Sequence, residues 1–239
     1  MFNSLGQSIM DFLISLVTWL PGLALGVILH EYAHGYIAYR NGDPTAKSYG
    51  RLTINPMAHI DLFGSILLPL LLILLNSGIV FGYAKPVPIN PSYFRNYRKG
   101  IRYTSLAGPV TNLIVAFLSG LLYGLFFYLI IRLSGGLMDN GSIGFRAFDI
   151  FNKLFRNTIY INIFLAIFNF IPIPPLDGSK ILASFLPYQA MQRYLSIGRF
   201  GFIFIFIFLF LSGGLFRSIV FPVINFFFNI CTWWQYLIV

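Results

Sequence analysis

Long apolar runs fill this chain, and short polar segments rich in helix breakers separate them. A membrane-crossing helix needs about 20 apolar residues to span about 30 Å of hydrocarbon. The first run extends from Ile9 to Tyr39, is interrupted by Pro21-Gly22, and is stopped by Asn41-Gly42-Asp43-Pro44. It shows no basic leader and no small-residue cleavage site, so it reads as a mature helix rather than a signal peptide. In the mixed stretch that follows, Tyr49–Ile54 reads as a short strand closed by Asn55-Pro56. A second run covers Leu62–Phe81, with Pro69 in its middle. Residues 83–89 read as another extended strand, because Pro86 and Pro88 forbid a helix. Helices are expected at 103–133 and 154–171, separated by a polar stretch at 134–152. Pro172-Ile173-Pro174-Pro175 breaks the second of them. Two more helices, at 194–211 and 218–239, meet at Ser212-Gly213-Gly214, and no internal repeat is visible.

Composition narrows the class. Hydrophobic residues make up 57% of the 239 and charged residues 10%, whereas a soluble domain carries roughly 25% charged residues. So few charges do not cover a water-facing surface, which excludes a soluble globular enzyme. Disordered chains are poor in apolar residues, which excludes disorder. The single Cys231 excludes internal disulfides and multi-cysteine metal sites. The expectation is an all-α polytopic membrane protein forming one domain over 1–239, with a catalytic core at about 21–186 and two added helices at about 194–239. A net charge of +9 points to lipid headgroups rather than nucleic acid, because the basic residues sit in short loops between apolar runs. Of seven acidic residues, only Glu31 and Asp177 lie within or against apolar segments.

Glu31 belongs to His30-Glu31-Tyr32-Ala33-His34, an H-E-x-x-H pattern inside a helical run. Helix positions four apart differ by about 40° around the axis. Both imidazoles therefore reach one metal ion, with Glu31 beside them as general base. A carboxylate in a membrane helix costs on the order of 2.5–3.5 kcal/mol, so this turn needs a function that repays it. The plainer alternative is a polar contact between helices. A catalytic zinc site usually has three protein ligands and a water, and Asp177 and His59 are the candidates for the third. Asp177 follows a helix broken by prolines, in irregular backbone that membrane depth tolerates only where protein or a water cavity surrounds it. It reads equally as a helix N-cap. His59 reads as a metal or substrate contact or as a solvated loop histidine. Cys231 reads as packing.

His30-Glu31-Tyr32-Ala33-His34, Ala107-Gly108-Pro109-Val110-Thr111-Asn112 and Asn169-Phe170-Ile171-Pro172-Ile173-Pro174-Pro175-Leu176-Asp177-Gly178 together resemble the site-2 protease family of intramembrane zinc metalloproteases. Leu52–Asp61 and Phe81–Pro88 resemble a compact prokaryotic branch, and 239 residues leave no room for the PDZ or CBS domains of many members. The resemblance runs from about Pro21 to Leu186. It implies one zinc ion held by His30, His34 and Asp177, with Glu31 as the catalytic acid–base and membrane-protein substrates cut within or near a spanning segment. It also sets Asn112 and Asn169 near the active site, where they read as oxyanion or substrate contacts or as asparagines bonding between helices. The rival functions for the same residues are a membrane metal transporter and a proteolytically silent scaffold with a structural metal. Further polar residues crossing the bilayer would mark the transporter, and the intact Glu31 argues against the scaffold.

If one ion joins His30, His34 and Asp177, the helices carrying them run in the same direction. An odd number of crossings then separates them. The 103–133 helix is one crossing, so Leu62–Phe81 is expected to be re-entrant or a hairpin turning near Pro69. Eleven of the 16 Lys and Arg residues then share the active-site face. The other five are Arg132, Arg146, Lys153, Arg156 and Arg217. The positive-inside rule sets that richer face in the cytoplasm of a prokaryotic plasma membrane. The expected count is five transmembrane helices, and the strands at 49–54 and 83–89 are expected to hold an extended substrate by strand addition.

Overall fold

The computed structural model describes residues 2–67, 71, 84–134, 143–201 and 213–235. Among these, regular structure is entirely helical. α1 spans Phe2–Arg40, α2 Thr45–Ser48, α3 Tyr97–Ser134, α4 Ile143–Phe170, α5 Asp177–Ala183, α6 Tyr188–Ser196 and α7 Gly213–Cys231. Short 3₁₀ turns lie at Pro56–Ala58, Pro91–Tyr93 and Ile197–Phe200, and a π-helical turn at Leu62–Leu67. Within the described residues, two segments, Leu13–Arg40 and Tyr97–Arg132, are long and apolar enough to cross a membrane.

The chain divides into two compact units. One comprises Met1–Gly26, Val110–Asn169 and Phe202–Val239. Its core packs Ala116, Tyr123, Ile159, Ile163, Val220, Ile224, Cys231 and Trp234. Gly22 lets α4 approach α1 closely, since a Cβ there would lie 2.7 Å from the Thr158 Cα. Asparagines satisfy the α1 carbonyls at this contact. Asn162 donates to Gly22 O (3.2 Å), while Asn112 donates to Gly26 O (3.1 Å) and to Asn162 Oδ1 (2.9 Å).

The other unit comprises Val27–Pro109 and Phe170–Gly201. Ala38, Phe94, Ile101, Ala183 and Met191 form its core. The expected stop after Tyr39 is present as a Schellman cap: Gly42 takes φ +110°, its N–H donates to Tyr39 O, and Asp43 N–H donates to Ala38 O. Buried Asp43 then accepts from the backbone of Thr45 (2.9 Å) and of Asn90 (2.7 Å).

Three expectations are corrected. Neither proposed strand forms among the described residues. Tyr49–Ile54 leaves α2 through a turn at Gly50 (φ +65°), and Ala84–Asn90 runs extended without ladder partners. Its carbonyls at Lys85 and Pro86 bond the Arg51 side chain instead (2.8 and 3.4 Å). The expected polar stretch is helical from Ile143 onward. Phe148 stacks on Phe126, Phe151 packs tilted against it, and Asp149 pairs with Lys153 one turn away (2.7 Å). The helix expected at 194–211 starts instead at Tyr188 and turns 3₁₀ at Ile197–Phe200. Most of Leu62–Phe81, with its expected reversal near Pro69, lies outside the described residues, as do 202–212.

Candidate metal centre

The C-terminal part of α1 carries His30, Glu31 and His34. One helical turn places both imidazoles on one face, and their rings meet edge-on with centroids 4.5 Å apart. Asp177 arrives from far along the chain. α4 ends at Phe170, the proline-rich bend follows, and Asp177 is the first residue of α5. Leu176 occupies the N-cap and makes no side-chain cap bond, so Asp177 is not a cap. Gly178 makes this placement sterically allowed, since a Cβ there would sit 2.2 Å from Phe170 O. All three side chains are buried.

Their donor atoms converge. His30 Nε2 lies 3.2 Å from Asp177 Oδ2, His34 Nε2 lies 2.9 Å from the same oxygen, and the two Nε2 atoms are 2.9 Å apart. Donors about 2.0–2.1 Å from one tetrahedral zinc would lie roughly 3.3–3.4 Å apart. The observed triangle fits that arrangement with a small expansion. The surrounding bonds prepare the donors. His34 Nδ1–H donates to Thr104 O (2.6 Å), which leaves a lone pair on Nε2 of the neutral ring. Lys180 Nζ donates to Asp177 Oδ1 (3.0 Å). Burial raises the Asp177 carboxyl, but when the imidazoles carry an extra proton their hydrogen bonds, the charge of His34 and that of Lys180 outweigh it. They hold the group well below the ordinary carboxylate range. Among the described residues, this is the group of His, Cys, Asp and Glu side chains whose donors converge on one point.

Glu31 is half-buried, and its Oε2 accepts from Val87 N–H (2.8 Å). That donor lies on the extended 84–90 segment. Arg51 holds the segment by donating to Ala58 O, Lys85 O and Pro86 O. Lys85 N–H also donates to His59 O (2.9 Å), tying the two ends of the 60–84 stretch together.

The remaining sequence candidates are placed as follows. His59 is buried rather than solvated, with Nε2 against Thr53 O (2.8 Å). Asn112 belongs to the asparagine pair in the first unit. Asn169 Nδ2 donates to Leu165 O one turn back on α4 (2.9 Å). Thr104, Val87 and Lys180 escaped the sequence reading. Two of them act through backbone atoms, which no residue type reveals. Lys180 stands three residues after Asp177 on the same helix face, a spacing that could have flagged it.

The chain matches the model of peptidase family M50 over residues 18–212. It is 36% identical over 181 residues to "Putative zinc metalloprotease YwhC" of Bacillus subtilis, covering 76% of this chain and 74% of the relative. It is 30% identical over 177 residues to "Putative zinc metalloprotease MJ0611" of Methanocaldococcus jannaschii, covering 73% and 72%. It is 28% identical over 192 residues to "Putative zinc metalloprotease Rip2" of Mycolicibacterium smegmatis, covering 80% of this chain and 64% of that protein. No solved structure gives a significant match.

Proposed function

This chain belongs to peptidase family M50, and from that premise we propose that it is a zinc metalloprotease cutting membrane proteins within or near their spanning segments. The observation that carries the reading is the convergence of His30 Nε2, His34 Nε2 and Asp177 Oδ2 one helical position from a carboxylate. His30, His34 and Asp177 would hold the ion. A zinc ion bound there would supply Lewis acidity, lowering the pKa of a coordinated water to about 7 and polarising the scissile carbonyl.

The protein's own residues do the rest. Val87 N–H fixes one oxygen of Glu31, and the other oxygen accepts the proton of the attacking water. Glu31 then returns that proton to the leaving amine. The buried, ionised Asp177 balances positive charge at the centre, and Thr104 O keeps the His34 ring in one tautomer. Asn112 and Asn169, by the family resemblance, and His59, whose carbonyl bonds the 84–90 segment, are the candidate substrate or oxyanion contacts. The edge of the Ala84–Asn90 segment offers extended backbone to an unwound substrate.

The proposed setting is a prokaryotic plasma membrane, with five crossings and the active site toward the cytoplasm. The Lys85–His59 bond supports a returning path for the stretch between them. One straight crossing would separate its ends by about 30 Å.

The test compares wild type with Glu31→Gln in detergent or lipid against a panel of single-span membrane proteins, with bound metal quantified in both. Metal in both and cleavage by wild type alone is expected. Active wild-type protein free of metal would overturn the reading.

A further inference from the structure

α3 faces the metal donors with backbone rather than with a functional side chain. Thr104 O receives the His34 Nδ1 proton, and one turn later Gly108 faces the same imidazoles. A Cβ built on Gly108 would stand 2.5 Å from His30 Nε2, 2.5 Å from His30 Cε1 and 2.5 Å from His34 Nε2. These nitrogens are the donor atoms themselves. An ion shared by them must occupy the volume beside both, at about 2.0–2.1 Å from each. A methyl group on α3 would compete for that volume.

The geometry points to Gly108 as a positioning residue for the metal: its missing side chain keeps the space around both imidazole donors open. This inference rests on the metal-centre reading above and adds a residue that is neither a ligand nor polar.

What must move on substitution decides the expected phenotype. The atoms in conflict are the far ends of two histidine side chains, not backbone. Imidazoles can swing aside at small cost, and alanine is a better helix former than glycine. The G108A chain therefore folds. The rings that swing aside, however, leave the donor triangle and, for His34, the bond to Thr104 O. Metal binding is lost while the fold survives, the reverse of an ordinary packing defect.

The experiment uses the full chain in detergent, loaded with zinc and, separately, with cobalt(II), whose visible absorption reports four-coordinate binding. Wild type is expected to bind one equivalent and G108A less than a tenth of that, with the same helical circular dichroism. Metal-free G108A should melt within a few degrees of metal-free wild type. G108A with wild-type metal content and cobalt spectrum would overturn the inference. Absence of metal from wild type would overturn the metal-centre reading instead. A second comparison sets H30A/H34A against H30A/H34A/G108A. With the imidazoles gone, the glycine substitution should leave stability unchanged. Equal destabilisation with and without the imidazoles would overturn the inference, because Gly108 would then serve helix packing alone.

Discussion

At the scale of single residues, the proposed metal centre depends on what lies just behind its donors. Lys180 holds Asp177 Oδ1, the carboxylate oxygen that does not touch the imidazoles (3.0 Å). Partners of this kind orient a ligand, and their loss typically costs about 10–100-fold in metal affinity. The Lys180 side chain is about half exposed (48%), so solvent screening places its effect at the low end. Lys180→Met should weaken zinc binding by roughly tenfold or less, as read by competition with a chelator. Affinity equal to wild type would show the pair to be a solvated contact. Protons compete with metal for both imidazoles. Zinc content should therefore fall as the buffer is acidified, in wild type and in the Lys180 variant alike.

At the scale of elements, the segment that orients Glu31 is not a strand in a sheet. Its backbone groups bond side chains: Val87 N–H goes to Glu31, and Lys85 O and Pro86 O receive Arg51. The Pro86–Val87 peptide is one planar unit, so a donor at its oxygen also orients its N–H toward the carboxylate. Arg51→Met should leave metal content unchanged and speed amide exchange at Val87 by about tenfold, the loss of roughly one net hydrogen bond. Unchanged exchange would show that Pro88 and the loop ends hold the segment without Arg51.

The expectation of strands at 49–54 and 83–89 failed here for a physical reason. Proline spacing and β-branched residues signal an extended backbone, but they do not say whether a partner strand exists. The helical start at Ile143 was legible in the spacing of Phe145, Phe148 and Phe151. Charged and polar neighbours disguised it as a loop.

At the scale of the whole molecule, the proposed sidedness of the chain rests on its charge distribution and on one long-range hydrogen bond. Lys85 N–H meets His59 O although 25 positions separate them. Residues on the two sides of this stretch should therefore face the same compartment. Single cysteines at Lys47, Lys85 and Lys180, in a Cys231→Ala background, should all label from the cytoplasmic side of sealed vesicles. Labelling of Lys85 from the face opposite Lys47 would remove the re-entrant path and the topology built on it.

Composition and local spacing were enough to establish a membrane-type chain, the helical turn that brings His30 and His34 together, and the stop at Asn41-Gly42. Each depends on residues within a few positions of one another or on sums over the chain. The choice between Asp177 as cap and Asp177 as ligand had no such local answer. The fold removes the cap, since Leu176 holds that position, and a contact spanning 147 positions, His30 to Asp177, supports the proposed ligand. The neighbourhoods of Gly108, Thr104 O and Val87 N–H likewise arise only from contacts between distant parts of the chain. A missing side chain and backbone atoms carry no chemical label in a sequence. They acquire a role only when folding brings another element within a few ångströms.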